Sequence, residues 1–119
     1  MDYSELLVWQ KAMNLVTEIY QITATFPGEE RFGLSSQARR AAVSVPSNIA
    51  EGHGRKATGA YLQHLSIAYG SLMELETHMR IASRLKFIGD EVAVTLLDKT
   101  TEIAKMLNGL KKSLSIKDE

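Results

Sequence analysis

Hydrophobic residues recur at steps of three and four through four segments of this chain, which is the period of an amphipathic helix. No segment shows the two-residue alternation that is typical of a half-buried strand. The first helix is expected to begin near Ser4, with Asp2 and Glu5 spaced as a capping box. Its main apolar face is formed by Leu6, Trp9, Met13, Val16 and Tyr20, and a second set, Val8, Leu15, Ile19 and Ile22, widens that face.

The breaks between the helical segments are short and contain proline or glycine, which interrupt helices. They fall at Phe26-Pro27-Gly28, at Gly52-His53-Gly54 and at Gly89-Asp90. Short connections force consecutive helices to lie antiparallel as neighbours. The sequence therefore predicts an all-α protein, an up-down-up-down four-helix bundle with a single domain over residues 1–116 and a charged tail over 117–119.

The second and third helices each have a clear apolar face and a candidate cap. Ser35 or Ser36 is expected to cap the second helix, and Thr58 the third. Alanines in the second helix indicate close packing against its neighbour. The apolar faces consist of Leu34, Ala38, Ala41, Ala42, Val45 and Ile49 in the second helix, and of Tyr61, Leu65, Ala68, Leu72, Leu75, Met79 and Ala82 in the third.

Pro46 lies inside the second helix. It removes the backbone hydrogen bond to the carbonyl of Ala42 and costs about 3 kcal/mol unless the surroundings compensate. We expect the helix to be kinked at Pro46, with a Ser or Asn side chain or a water molecule meeting the free carbonyl. Polar residues also recur at helical spacing beside the alanine face, at Gln37, Arg40, Ser44, Ser47 and Glu51.

The turn after Gly52 sets a register between the second and third helices. It places Ser44 near Ala68 and Asn48 near His64, and it brings the arginines at 39 and 40 within reach of the carboxylates at 74 and 76. An Arg-Glu pair there would satisfy groups that are costly to bury alone. The predicted polar network comprises Arg40, Ser44, Ser47, Asn48, Glu51, Glu74 and Glu76. It either fixes register and an oligomer interface or lines a pocket or pore, and we favour the first interpretation.

Composition restricts the class of protein. Fourteen basic residues balance fourteen acidic ones, so a nucleic-acid site would have to be a local patch. The absence of cysteine excludes disulfides and thiolate chemistry. No apolar run reaches the length of a membrane span, and the amino terminus lacks the pattern of a signal peptide, so we expect a cytoplasmic protein.

More apolar surface is present than a monomeric bundle needs. Large residues beside the main faces indicate a homo-oligomer, although simple wide core faces would explain them too. Examples are Val8, Ile19, Met73, Ile81 and Leu97.

Five short motifs are specific in combination, and they span almost the whole chain. They are Leu7-Val8-Trp9-Gln10-Lys11-Ala12, Ile19-Tyr20 with Phe26-Pro27, Gln37-Ala38-Arg39-Arg40-Ala41, Ser47-Asn48-Ile49-Ala50-Glu51-Gly52, and Ala68 to Glu76 with its Gly-Ser-x-x-Glu element. In these motifs the chain resembles the four-helix-bundle proteins of the 23S rRNA intervening-sequence family. The resemblance implies an antiparallel bundle that assembles into a ring, commonly a homopentamer. It also implies kinship with the accessory proteins of diversity-generating retroelements, which bind nucleic acid and a reverse transcriptase.

Basic residues form two candidate nucleic-acid patches, one towards each end of the bundle. Phosphate contacts of this kind give affinity that depends on salt and tolerates many sequences. Glu29, Glu30, Asp90 and Glu91 dilute the first patch. The first patch contains Arg31, Arg39, Arg40, Arg80, Arg84 and Lys86, and the second Arg55, Lys56, Lys111, Lys112 and Lys117.

Other chemistry finds little support in the sequence. The turn from Gly52 to Lys56 could cradle an anion, but it lacks the spacing of a phosphate-binding loop, and an ordinary interhelical turn explains it better. A two-metal bundle site needs Glu-x-x-His on two helices, whereas Glu74 and His78 are four residues apart and no second such pair exists. We therefore expect no metal and no cofactor.

The sequence thus predicts a non-enzymatic bundle that forms a homo-oligomeric ring, with RNA or a nucleic-acid-handling protein as its partner. The alternative is a purely structural or protein-binding adaptor without nucleic-acid contact.

Overall fold

Four helices follow one another in a computed structural model of the protein, which describes residues 1–117. The helices are α1 Leu7–Thr23, α2 Leu34–His53, α3 Thr58–Arg84 and α4 Asp90–Lys117, with 3₁₀ turns at Tyr3–Glu5 and Gly28–Glu30. Each helix packs on its neighbours in sequence, and α4 returns to α1, so the predicted antiparallel four-helix bundle is confirmed. The tail predicted over 117–119 lies outside the described residues except for Lys117, the last residue of α4.

The core runs along the centre of the bundle, whose extents are 48 × 24 × 20 Å. The predicted faces of α2 and α3 are confirmed, because all their members are buried except Leu34 and Tyr61, which are half-buried. α2 and α3 approach each other most closely. Small residues on α2 allow this approach, since a Cβ on Gly52 would lie only 2.8 Å from the Cβ of His64.

The main face predicted for α1 is confirmed only in part, because three of its five members are half-buried against the core. Met13 and Tyr20 are exposed, whereas the core side carries Ala12 and residues of the second set, Leu15 and Ile19 among them. Both sets have helical spacing. Most of the second set is buried more deeply than the main set, together with Ala12, whose small side chain lets α1 lie close to the other helices.

Not all of the large apolar residues expected beside the main faces are available to a partner. Val8 and Ile19 belong to the core, so they provide no surface for a partner. Ile81 is 41% exposed and remains available for such a contact. Met73 and Leu97 are half-buried.

Helix starts differ from the sequence predictions. No capping box forms at the amino terminus: α1 begins at Leu7, and the hydroxyl of Ser4 donates to Asp2 Oδ2 at 2.8 Å within the preceding turn. The hydroxyl of Thr58 does not cap α3 either, because Thr58 is already its first residue and Ala57 occupies the capping position.

The predicted serine cap of α2 is also wrong. Gly33 precedes the helix, and the carboxylate of Glu30 accepts a hydrogen bond from the backbone N–H of Leu34 at 3.2 Å. Ser35 is buried instead. The cap therefore comes from the preceding 3₁₀ turn, which a spacing rule for serine does not find.

α2 continues without interruption through Pro46, from Leu34 to His53. No side chain among residues 1–117 donates a hydrogen bond to the Ala42 carbonyl; Asn48 Nδ2 donates to the carbonyl of Ser44 instead, at 2.9 Å. The expected hydrogen bond from a Ser or Asn side chain to the Ala42 carbonyl is thus wrong. The kink at Pro46 stays a prediction.

The turn after α3 is closed by a residue in the left-handed region. Lys86 has φ of 63°. The N–H of Phe87 bonds the carbonyl of Ala82 at 2.9 Å, and the N–H of Lys86 bonds that of Ser83 at 3.0 Å. This pair of bonds is a Schellman motif, which reverses the chain within a few residues. It fixes the point from which α4 starts.

Candidate functional site

Antiparallel packing brings the first predicted basic patch to one end of the bundle. Three arginines lie at or just before the start of α2, two lie at the end of α3, and Lys86 lies in the turn that follows. We call these six residues the basic end: Arg31, Arg39, Arg40, Arg80, Arg84 and Lys86. All are exposed except Arg39, which is half-buried.

Within the described residues, none of these six cations forms an ion pair with a carboxylate. Two acidic residues nearby have other partners, because Glu30 caps α2 and Glu76 accepts a hydrogen bond from α4. The predicted dilution by Glu29, Asp90 and Glu91 remains, since all three are exposed at this end of the bundle. The cations keep their own charge available for a ligand, and the exposed acids lower the net positive charge of the basic end.

A groove of about 650 Å³ lies between the end of α1 and the start of α2. Its lining includes Tyr20 from α1 and Phe32, Arg39 and Arg40 from the start of α2 or the turn before it. The guanidinium of Arg39 lies 4.8 Å from the centre of the Tyr20 ring, and its Nε donates to the hydroxyl of Thr23 at 2.8 Å. These contacts fix one positive charge beside an aromatic surface.

Phe32 is the residue that the sequence pattern did not reveal. Its side chain is 88% exposed, and the guanidinium of Arg31 lies 5.4 Å from its ring centre. The available signal was an aromatic residue that belongs to no apolar period and is flanked by Arg31 and Gly33 in a turn. Such a residue is not part of the apolar face of any helix.

A second groove, of about 560 Å³, runs between the end of α3 and the start of α4. Arg80 and Arg84 line it together with Ile81 and Val94. Asp90 also lines this groove, so its positive charge is partly balanced there.

In the second predicted basic patch, less of the positive charge is free to contact a ligand. Arg55 is paired with Glu51 at 3.1 Å, and the ammonium of Lys111 lies 5.8 Å from the ring centre of Tyr69. Lys56 and Lys112 are exposed. The side chain of Lys117 lies outside the described part of the chain.

The predicted polar network forms only in part. The side chains of Asn48 and His64 meet at 3.0 Å, which confirms the register, and Ser44 bonds the hydroxyl of Ser71 at 2.7 Å. Glu51 lies 3.9 Å from His64 at the edge of this cluster. The cluster is half-buried between α2 and α3.

The arginine pairing expected in that network is wrong. Arg40 is exposed and Arg39 turns towards α1, so neither reaches Glu74 or Glu76. The carboxylate of Glu76 instead accepts a hydrogen bond from the hydroxyl of Thr100 in α4, at 2.7 Å. Ser47 and Gln37 are exposed as well, so the polar stripe of α2 mostly faces outward.

His78 is a buried polar residue that lies apart from both grooves. The side chain is 7% exposed, and its Nδ1 has no hydrogen-bond partner among the described residues. Burial lowers the pKa of His78, and the nearby carboxylate of Glu74 partly opposes that shift. The imidazole is therefore held in its neutral form.

No cluster of three or more metal-binding side chains gathers within residues 1–117. Among the same residues, no helix has the length and apolarity that crossing a membrane requires.

An apolar surface lies beside the groove of Phe32, along α1 and α2. Its α1 residues lie at the edge of the core, where Met13 is exposed but Trp9 and Val16 are half-buried and pack against the core. From α2 it takes the exposed Val43 and the buried Pro46. We call it the α1–α2 surface: Tyr3, Trp9, Met13, Val16, Val43 and Pro46.

Comparison with known proteins identifies a similar structure and a matching family. A crystal structure of a protein of unknown function from the S23 ribosomal protein family of Bacteroides thetaiotaomicron superposes with a TM-score of 0.80, at 24% identity, over 89% of this chain and 99% of that one. That likeness supports the fold alone. No curated protein matches the chain. The model of the 23S rRNA-intervening sequence proteins matches residues 4–109, which confirms the resemblance seen in the motifs. The chain belongs to the 23S rRNA-intervening sequence protein family.

Proposed function

We propose that this protein is a non-enzymatic, self-assembling helical bundle that binds RNA through its basic end. The observation that carries the proposal is the group of six cations that make no ion pair with a carboxylate of the described residues. The chain as a whole is neutral, so the grouping of these six cations is a property of the fold. Phosphate groups are the ligand class that such a surface attracts most strongly.

The α1–α2 surface supports the self-assembly that the proposal includes. The α1–α2 surface exposes Met13 at 40% and Val43 at 39%, next to a half-buried Trp9. Contiguous apolar residues of this kind are typical of an interface. In a ring each subunit would present its own basic end, so many weak phosphate contacts would act together.

The test is retention of a structured RNA at low and moderate salt. Wild-type protein should bind, and its affinity should fall as salt rises. Replacing both Arg80 and Arg84 by Ala should weaken binding and lower the slope of log K against log salt by about 1 for each phosphate that these arginines neutralise. Lys105→Ala, an exposed lysine outside both patches, is the matched control. Absence of retention at both salt concentrations would refute the proposal.

A structural or protein-binding adaptor is the second candidate, and the α1–α2 surface favours it. The two functions differ in a measurable way. An adaptor would assemble in sedimentation experiments and retain no RNA at low salt. An RNA-binding bundle would do both.

A further inference from the structure

Phe32 has no role in holding the bundle together. It lies in the turn between the 3₁₀ turn Gly28–Glu30 and α2, with 88% of its side chain exposed. Phe26, by contrast, is buried and packs on Phe87 with ring centres 5.5 Å apart. An aromatic ring held in water at the mouth of a charged groove offers a ligand the face that Arg31 does not cover.

The groove beside this ring combines an apolar wall with positive charge. Tyr20 and Val43 supply apolar lining, and Arg31, Arg39 and Arg40 supply the charge. Arg39 is fixed by its hydrogen bond to Thr23, whereas Arg40 is exposed and forms no hydrogen bond or ion pair among residues 1–117. The groove is large enough for one or two nucleotides, since its volume falls in the range of small-molecule sites.

The combination distinguishes between forms of nucleic acid. A duplex presents phosphates but keeps the faces of its bases stacked inside, where Phe32 cannot reach them. An unpaired strand presents both phosphates and base faces, and aromatic side chains in basic grooves bind such strands by stacking. Arginine alone would serve either form, so the exposed aromatic ring decides between them.

We propose that this groove is a site for single-stranded nucleic acid, in which one base stacks on Phe32 while Arg31 and Arg40 contact the flanking phosphates. The proposal rests on the proposed RNA binding and specifies its substrate: an unpaired segment. A protein partner is less suited to the groove, because it would have to bring carboxylates to three arginines at once.

The test uses the full chain and fluorescein-labelled oligouridylate, which is unstructured, with the oligouridylate–oligoadenylate duplex as competitor. The single strand should bind, and the duplex should compete at least about tenfold less well. Phe32→Ala should weaken binding of the single strand about tenfold. Phe32→Leu, which keeps apolar bulk but removes the flat ring, should weaken it nearly as much. Phe32→Tyr should bind like the wild type.

Ile116→Ala is the matched control. It removes a side chain that is 60% exposed at the opposite end of the bundle, and it should leave binding unchanged. Because Phe32 is so exposed, its variants should keep the wild-type thermal midpoint, which shows that the bundle stays folded.

The outcomes separate the two proposals. If structured RNA is retained but Phe32→Ala binds oligouridylate like the wild type, or if the duplex competes equally, the stacking site is refuted and RNA binding stands. If Phe32→Leu keeps full affinity, apolar contact explains the site and stacking is refuted. If Phe32→Ala abolishes self-association but not strand binding, Phe32 belongs to an interface between copies and the stacking site is refuted. Failure to bind any RNA refutes both proposals.

Discussion

His78 illustrates how a single buried polar atom sets a local free-energy cost. A buried nitrogen without a partner gives up its hydrogen bonds to water and forms none in return. In α3 the side chain of His78 is 7% exposed, with Nδ1 unpartnered among the described residues. Burial therefore favours the neutral form of this imidazole in the folded protein.

The stability of the bundle should therefore depend on pH through His78. Burial lowers the pKa of this residue in the folded state below its ordinary value of 6.5. Above that pH the imidazole is neutral in both states. As pH falls through it, the unfolded chain takes up a proton before the folded one does, so stability declines. His78→Leu should be about 1 kcal/mol more stable at neutral pH, and its advantage should grow in acid.

Urea unfolding at about pH 7.5 and about pH 5.5 measures this effect. The other histidines are present in both proteins, so the difference between wild type and variant isolates His78. A difference that stays constant between the two pH values would contradict the prediction.

At the scale of the elements, α2 packs on α3 through a glycine inside the helix. Gly52 is buried, and a Cβ there would lie 2.9 Å from Tyr61 Cδ1 as well as 2.8 Å from His64 Cβ. The Cβ of His64 moves only with the backbone of α3. The sequence suggested a turn glycine at this position, and the structure shows a packing glycine instead.

Gly52→Ala should separate α2 from α3 and lower the free energy of unfolding by about 1–2 kcal/mol, because overpacking outweighs the gain in helix propensity. Gly70→Ala is the matched control, since Gly70 lies in α3 with nothing within 4 Å of an added Cβ. The control should be more stable than the wild type by about 0.5–1 kcal/mol. Urea midpoints of the two variants that shift in the same direction would show that the close approach at Gly52 is unimportant.

The helices, their order and the register of α2 on α3 were predictable from the sequence, because spacing and turn position determine them. Asn48 and His64 meet as expected. Caps and faces were less predictable. The cap at Leu34 depends on where the carboxylate of Glu30 folds back, and the part of the wide apolar face of α1 that is most deeply buried depends on how its neighbours pack. Both are decided by tertiary geometry.

For the whole molecule, the basic patch was predictable as a set of residues but not as an available charge. Of the acids expected to weaken it, Glu30 caps α2, whereas Glu29, Asp90 and Glu91 remain exposed beside it. Glu76 was expected to pair with an arginine and bonds α4 instead. Phe32 was not predicted because hydrophobic periodicity identifies the buried faces of helices and gives no information on how exposed a turn residue is.

The proposed self-association would use the α1–α2 surface. Met13→Glu places a charge on the α1–α2 surface and should weaken self-association by about tenfold or more, because an interface would bury that charge without a partner. Asn14→Glu adds the same charge on the side of α1 that lines a groove with α4, and it should leave assembly intact. Sedimentation at several concentrations measures both. Equal association of the two variants would place the interface elsewhere.

The order in which the helices pack also bears on how the chain folds. Only residues 54–57 separate α2 from α3, so their pairing requires little loop-closure entropy, and such local topologies fold within microseconds to milliseconds. The contact between α1 and α4 joins distant parts of the chain, and the ion pairs Lys11–Glu102 at 2.6 Å and Lys99–Glu18 lie across it. The α1–α4 seam therefore carries the largest entropic barrier to forming the bundle.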